Sequence, residues 1–416
     1  MTVDFSLLRP LKEVPNESPS RFVWAIVFFV LMLVGIVAVL MLWPAGRSTQ
    51  TPRFWFYLAL FPIGTAALVV LRRYSVYLGH RQDAIDDNNL SEQHAMRIFD
   101  IASRPLGVLA SAYRYSTDKK ENDVDQLLSE TLSLETQLPP APDAAPMKAR
   151  WLAPLIKEQK VKPANDEERQ APLTEWLFNQ LLSDVADTIR ALPSSLRLTV
   201  HLNLCGSAIP VDAPEKWQRC WREHKLPDSV TIKAAVTTDL MMLDTWLDTA
   251  NEPEGQEVRL LVFVQLNNLL KKVPPAGGAE AGVALLLVPV ALAKQHRLPV
   301  IAQIHRPMQG RFDAIAHVLE YALKWGKSNL AEVARVWQAG MDVDRSGLLT
   351  ASMLKAEVQV PFNDLDNSIG KAGSAAPWLG LACAVAALKA ESGVQLMAHG
   401  EQDNLQLACC CSVAKK

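Results

Sequence analysis

Three small groups of residues in this chain could do chemistry, and each is incomplete. Asp342-Val343-Asp344-Arg345-Ser346-Gly347 has the carboxylate spacing and turn glycine of the first half of a calcium loop. Its twelfth position is Met353, where such a loop needs a bidentate carboxylate, so the segment reads as a solvated turn. His201, His305 and His399 lie in or beside apolar, strand-like stretches with no second ligand at metal spacing, and read as core or edge histidines. The six cysteines (Cys205, Cys220, Cys383, Cys409, Cys410, Cys411) show no disulfide framework. The adjacent three would alternate faces on a strand, so they are expected to pack as small hydrophobes. No GxSxG serine motif, phosphate-binding loop or dinucleotide glycine fingerprint occurs. No metal or cofactor is therefore expected. A net charge of −2 with 21% charged residues gives no field for nucleic acid.

The elements that must position these residues begin with two apolar runs. Residues 22–43 and 54–71 carry no charged side chain, and about 20 apolar helical residues cross a hydrocarbon core. The ten-residue linker between them holds two prolines and Gly46. This reads as a transmembrane hairpin. Trp24, Trp43 and Trp55 lie near the ends of the runs as an interfacial aromatic belt requires, and Arg72 and Arg73 form a membrane-edge anchor. Arg9, Lys12 and Arg21 precede the first run, and Arg72, Arg73 and Arg81 follow the second. The turn has only Arg47 and Arg53, so both termini are expected in the cytoplasm. Free cysteines suit that reducing compartment. Residues 1–21 form a polar arm and 74–104 a helical stalk.

From residue 105 onward, strand-like and helix-like stretches alternate. Strands are expected at 106–115, 196–204, 230–236, 258–266, 281–290, 301–305 and 405–413, with 258–266 and 281–290 buried on both faces. Helices are expected at 176–192, 239–250, 313–325, 331–339 and 378–390, with loops at 139–146 and 157–172. This is a layered α/β domain over 105–416.

Three stretches, in order, resemble a degenerate thiolase-like domain of the ketosynthase type. VTTDLMMLDTWLDTA (236–250) matches the nucleophile elbow and AEAGVALLLVPVALAKQHRLPVIAQI (279–304) the GEGAG region. NSIGKAGSAAPWLGLACAVAALKA (367–390) matches the SNIGH loop and its helix. The resemblance implies a cleft, but its catalytic residues do not carry over. Thr238 or Asp239 stands at the cysteine position and Lys371 at the SNIGH histidine. AGMDVDRSG (339–347) has no histidine where HGTGT would lie. Asp239 and Lys371 thus mark a degenerate cleft in a non-catalytic domain. The fold also implies a homodimer formed through an edge strand.

The first 75 residues, with LRPLKEVPNESPSRFVW and MLWPAGRSTQTPRFWFYLALFP, resemble an uncharacterised family of bacterial inner-membrane proteins encoded beside type VI secretion components and effectors. That implies a membrane-anchored scaffold or adaptor, accessory to secretion, binding an effector or secretion component. The alternatives are an immunity protein against a membrane-active toxin and an acyl-chain enzyme at the membrane.

Overall fold

The structure, a computed structural model, describes residues 10–44, 46–141, 145–152, 163–205, 212–228, 230–234, 238–250, 252, 255–271 and 273–413. Its contacts divide it into two compact units, which part between Asp100 and Ile101.

The N-terminal unit is built on two helices, α1 (Arg21–Leu42) and α2 (Pro52–Ala102). Both are long and apolar enough to cross a bilayer, by length and composition. A side chain at Gly35 would meet the Pro62 Cα at 2.8 Å, so glycine permits the close crossing of α1 and α2. Trp43 ends α1; its ring lies edge-on to Phe54 at 5.0 Å and its Nε1 donates to the Arg47 carbonyl at 3.3 Å. Trp24 lies in the first turn of α1, whereas Trp55, Arg72 and Arg73 are exposed on α2. The second apolar run and the stalk are one uninterrupted helix, with no break or cap in the DAIDDNN stretch. The polar arm lies along this helix: Asn88 Nδ2 donates to the Lys12 carbonyl at 2.9 Å, Lys12 N donates to Asn88 Oδ1 at 2.7 Å, and Tyr77 Oη donates to the Pro15 carbonyl at 3.3 Å.

The second unit opens with β1 (Leu106–Arg114), α3 (Val124–Leu128) and a short strand pair, β2 (Thr136–Gln137) and β3 (Met147–Lys148). Then come α4 (Asp166–Arg190), β4 (Leu198–Cys205), α5 (Ala213–Glu223), β5 (Val230–Ala234), α6 (Met241–Thr249), β6 (Val258–Gln265), β7 (Ala281–Pro289) and α7 (Val290–Gln295). The chain continues with β8 (Ala302–Ile304), β9 (Met308–Arg311), α8 (Ile315–Trp325), β10 (Val333–Ala339), α9 (Val343–Lys355) and β11 (Phe362–Asp364). It closes with α10 (Leu365–Ser368), α11 (Ala376–Ala387), β12 (Val394–Glu401) and β13 (Asn404–Ser412).

One strand path, β11-β10-β12-β13-β8-β1-β7-β6-β4-β5, contains the same topology twice. Numbered within each half, the strands run 3-2-4-5-1. Strands two to four are parallel and the fifth is antiparallel to its neighbours. The halves join where β1 pairs with β8, antiparallel. Each half places a helix between its third and fourth strands, α6 in the first and α11 in the second. Both helices contribute to one core that also takes side chains from strands of both halves. α4 and α5 cover the other face of the first half, and α8 and α9 that of the second.

The sequence pattern explains this placement. β6 and β7 are buried along almost their whole length, as expected of apolar runs between two layers. α11 is apolar all round and packs on every side, with Trp378 stacked on Phe263 at 5.2 Å. Cys409 and Cys410 face opposite cores, as strand alternation requires.

Three elements differ from expectation. Residues 333–339 are a strand, not part of a helix. The Ala/Glu-rich entry makes one 3-10 turn over Leu330–Glu332, and Val333–Ala339 then pairs between β11 and β12. α4 begins at Asp166, inside the stretch read as loop. There the Asp166 carboxylate accepts N–H bonds from Leu269, Leu270 and Lys271 at 2.8–3.2 Å, which fixes the helix start. The DVDRSG segment is the start of α9: Asp342 caps it by accepting from Arg345 N at 2.8 Å. Among the described residues no group of three or more His, Cys, Asp or Glu could hold a metal.

Candidate functional site

Four strands present residues in one register. Ala339 on β10 lies opposite His399 on β12, His399 opposite Gln406 on β13, and Gln406 opposite Gln309 on β9. Residues so paired share a face. Ala339, with Met397 and Ala408 at the two-residue offset from His399 and Gln406, belongs to the core beneath α6 and α11. The row therefore looks into the layer that holds the central helices.

The start of α6 closes over this row. Gln406 Oε1 accepts from Leu240 N at 3.0 Å, and its Nε2 donates to Asp239 Oδ2 at 3.0 Å and Gln309 Oε1 at 3.3 Å. One glutamine side chain thus caps the helix and holds the carboxylate before it. Asp239 Oδ1 is buried with no hydrogen-bond partner. The adjacent Thr238 carbonyl accepts from Trp378 Nε1 at 2.8 Å, tying the two central helices together.

His399 is buried and its Nδ1 lies 3.2 Å from the Ala339 carbonyl. An acceptor there assigns the proton to Nδ1 and leaves Nε2 with its lone pair. Burial pushes the imidazole pKa down, while the Ala339 bond and the Asp239 charge pull it partly back. Gly340 then turns the chain at φ +71°. A side chain there would meet the Gly400 carbonyl at 2.4 Å and the His399 ring at 2.9 Å. Gly340 N donates to Asp366 Oδ2 at 2.9 Å. Burial and the neighbouring Asp364 raise the Asp366 carboxyl to about 6, against the opposing pull of the Gly340 N–H and Lys371.

Asp239 and Lys371 do not meet. Asp239 is held by Gln406, whereas Lys371 is exposed and fixed through its backbone, which donates to the Gly277 carbonyl at 2.7 Å and accepts from Ala279 N at 3.0 Å. Lys371 is near enough to Asp366, and Asp239 to His399, for the charge of one to act on the other. His399 is buried and bonded to the Ala339 carbonyl, His201 packs on Trp246 at 4.8 Å and His305 is buried, in keeping with core or edge histidines. Gln406, Gln309 and Asp366 carry no motif. Only the alternation of LQLACCC hinted that Gln406 shares a face with Ala408.

All six cysteine thiols are pushed up by burial, Cys220 and Cys411 to about 11. Cys205, which accepts a bond from Ser374 Oγ at 2.6 Å, lies at the end of β4 rather than at α6.

No protein-family model matches the sequence, and no curated protein is significantly similar to it. Solved structures do match. A ketosynthase from module 6 of the bacillaene synthase of Bacillus subtilis 168 aligns with a TM-score of 0.53 at 11% identity, covering 75% of this chain and 72% of that one. An oxazolomycin ketosynthase domain of Streptomyces albus JA3453 gives 0.52 at 14%, covering 75% of each. A ketosynthase solved with its type II polyketide synthase acyl-carrier protein gives 0.52 at 11%, covering 74% and 99%.

The fold is that of the ketosynthases. It is the thiolase-like layered architecture expected from the three ordered stretches, and at these identities the likeness is one of fold alone. Within the ketosynthase fold, the stretch likened to the nucleophile elbow is the start of α6, and the stretch likened to the SNIGH loop runs from α10 into α11. The arrangement at α6 offers a carboxylate at a helix N-terminus, a neutral imidazole and a carboxyl poised near neutrality. It offers no thiolate.

Proposed function

We propose that this chain is a membrane-anchored scaffold in which a ketosynthase-fold domain binds a protein partner without acyl transfer. Its hairpin would cross a bacterial inner membrane, with both termini in the cytoplasm. The observation that carries the reading is the tether of Asp239 to Gln406 at the head of α6. Where the sequence resemblance expects a nucleophile, a carboxylate stands with one oxygen held by Gln406, and Lys371 is turned to solvent. The N-terminal resemblance supports an accessory role at a type VI secretion assembly, with an effector or secretion component as the partner. Protection of the bearer against a membrane-active toxin is the alternative for the same anchored architecture.

A second reading has one observation in its favour. His399, neutral and beside Asp239, could accept a proton if the Gln406 tether opened, which would suit an acyl-chain enzyme. The two readings rank variants oppositely. For the scaffold, Asp239→Ala, Lys371→Ala and His399→Gln at matched expression should each keep secretion or protection within about twofold, and deletion of residues 22–71 should abolish it. An acid–base residue contributes at least ~100-fold to rate. A loss of that size in Asp239→Ala or His399→Gln, with the fold retained, would establish catalysis instead.

A further inference from the structure

A polar cavity of about 470 Å³ lies away from the α6 network, between the end of β1, the start of α3 and the last turn of α11. That volume suits a small molecule. Tyr113 and Ser111, two residues apart on β1, share the face that lines it. Tyr113 is nine-tenths buried, its ring stacks on Tyr115 at 6.1 Å, and among the described residues none bonds to its hydroxyl. Ser111 Oγ is shielded from water and likewise has no partner. A buried hydroxyl left unpaired costs stability, so Ser111 Oγ on the cavity wall is unusual unless something bonds to it.

The charges around them are of both signs. Asp123 and Asp125 open α3, and Asp123 lies close enough to Tyr113 to act on its phenol. Arg114 lies on the other side, its guanidinium 2.7 Å from both the Tyr113 carbonyl and Asp184. Lys389, exposed at the end of α11, completes the rim.

We propose that this cavity binds a small zwitterion of amino-acid size. The ammonium lies against Asp123 and Asp125, the carboxylate against Arg114 and Lys389, and the two hydroxyls take its remaining polar atoms. Acidic and basic side chains lining one cavity select a ligand carrying both charges and penalise one carrying either alone.

The test uses the full-length protein in detergent, with thermal unfolding and calorimetry against each free L-amino acid at about 10 mM. At least one should raise the melting temperature in a concentration-dependent way. Its deaminated and decarboxylated analogues should each bind at least ~10-fold more weakly, a difference of about 1.4 kcal/mol. Tyr113→Phe keeps the packing and removes only the hydroxyl, and Lys389→Ala changes an exposed residue. Both should weaken binding by at least ~5-fold with unchanged melting of the free protein. The proposal is overturned if no amino acid binds, if either single-charge analogue binds equally well, or if neither variant alters the affinity.

Discussion

Asp366 shows at the scale of one residue how the α6 network constrains the fold. Its carboxyl is buried, accepts from Gly340 N and titrates at about 6, above the unfolded value of 3.8. A carboxyl raised in the folded state favours folding fully below its unfolded pKa and loses that contribution as pH rises through the folded one. Between pH 3.8 and about 6 the native state therefore holds the extra proton, and above that window the buried charge costs about 3 kcal/mol. Asp366→Asn keeps an oxygen for Gly340 N without the charge. It should raise stability in denaturant unfolding at pH 7.5 by up to about that amount and change it little at pH 3.5. Equal effects at both pH values would mean that Asp366 is not desolvated as described. Neither Asp366 nor its neighbour His399 could be assigned from sequence, because each derives its role from a strand or loop distant in the chain. Asp239 and Lys371 were legible as substitutions within a resemblance, but their separation was not.

The elements most readily read from sequence are those whose burial alone decides their form. β6, β7 and α11 have long apolar runs, and their place in the inner layers follows from that. β10 misleads because AEVARVWQA favours helix locally, while pairing with β11 and β12 outweighs that preference. α9 is hidden by an acidic start that resembles an ion loop until Asp342 is seen as a cap. Register imposes a further constraint where α11 crosses β12. A Cβ at Gly380 would lie 2.2 Å from the Met397 sulfur, and both residues are wholly enclosed. Gly380→Ala should therefore destabilise the domain by about 1–3 kcal/mol despite the better helix propensity of alanine. In the double variant with Met397→Ala the cost should be less than the sum of the two single costs, because the smaller side chain relieves the overlap. Strict additivity in a denaturant double-mutant cycle would remove Met397 as the obstacle.

At the scale of the whole molecule, one topology appears twice, and the two central helices meet in the core shared by both halves. No internal sequence repeat announces this, since matched strands need only matched burial. The N-terminal unit is legible for the opposite reason: uncharged length is itself the signal. Its orientation rests on flanking charge and can be tested by position. The arm and the segment from Tyr77 to Asn88 bond to one another, so they must occupy one side of any membrane that α1 and α2 cross. Ser48, in the turn between the helices, must then face the other side. Native cysteines are poor reporters because Cys409 and Cys410 are enclosed, so single cysteines at exposed Leu90 and at Ser48 are needed in a cysteine-free background. In intact spheroplasts an impermeant thiol reagent should label Ser48→Cys and leave Leu90→Cys unlabelled until lysis. The opposite pattern would invert the orientation while keeping the hairpin. Equal labelling of both positions before lysis would show that the two apolar helices do not place them on opposite sides of a membrane.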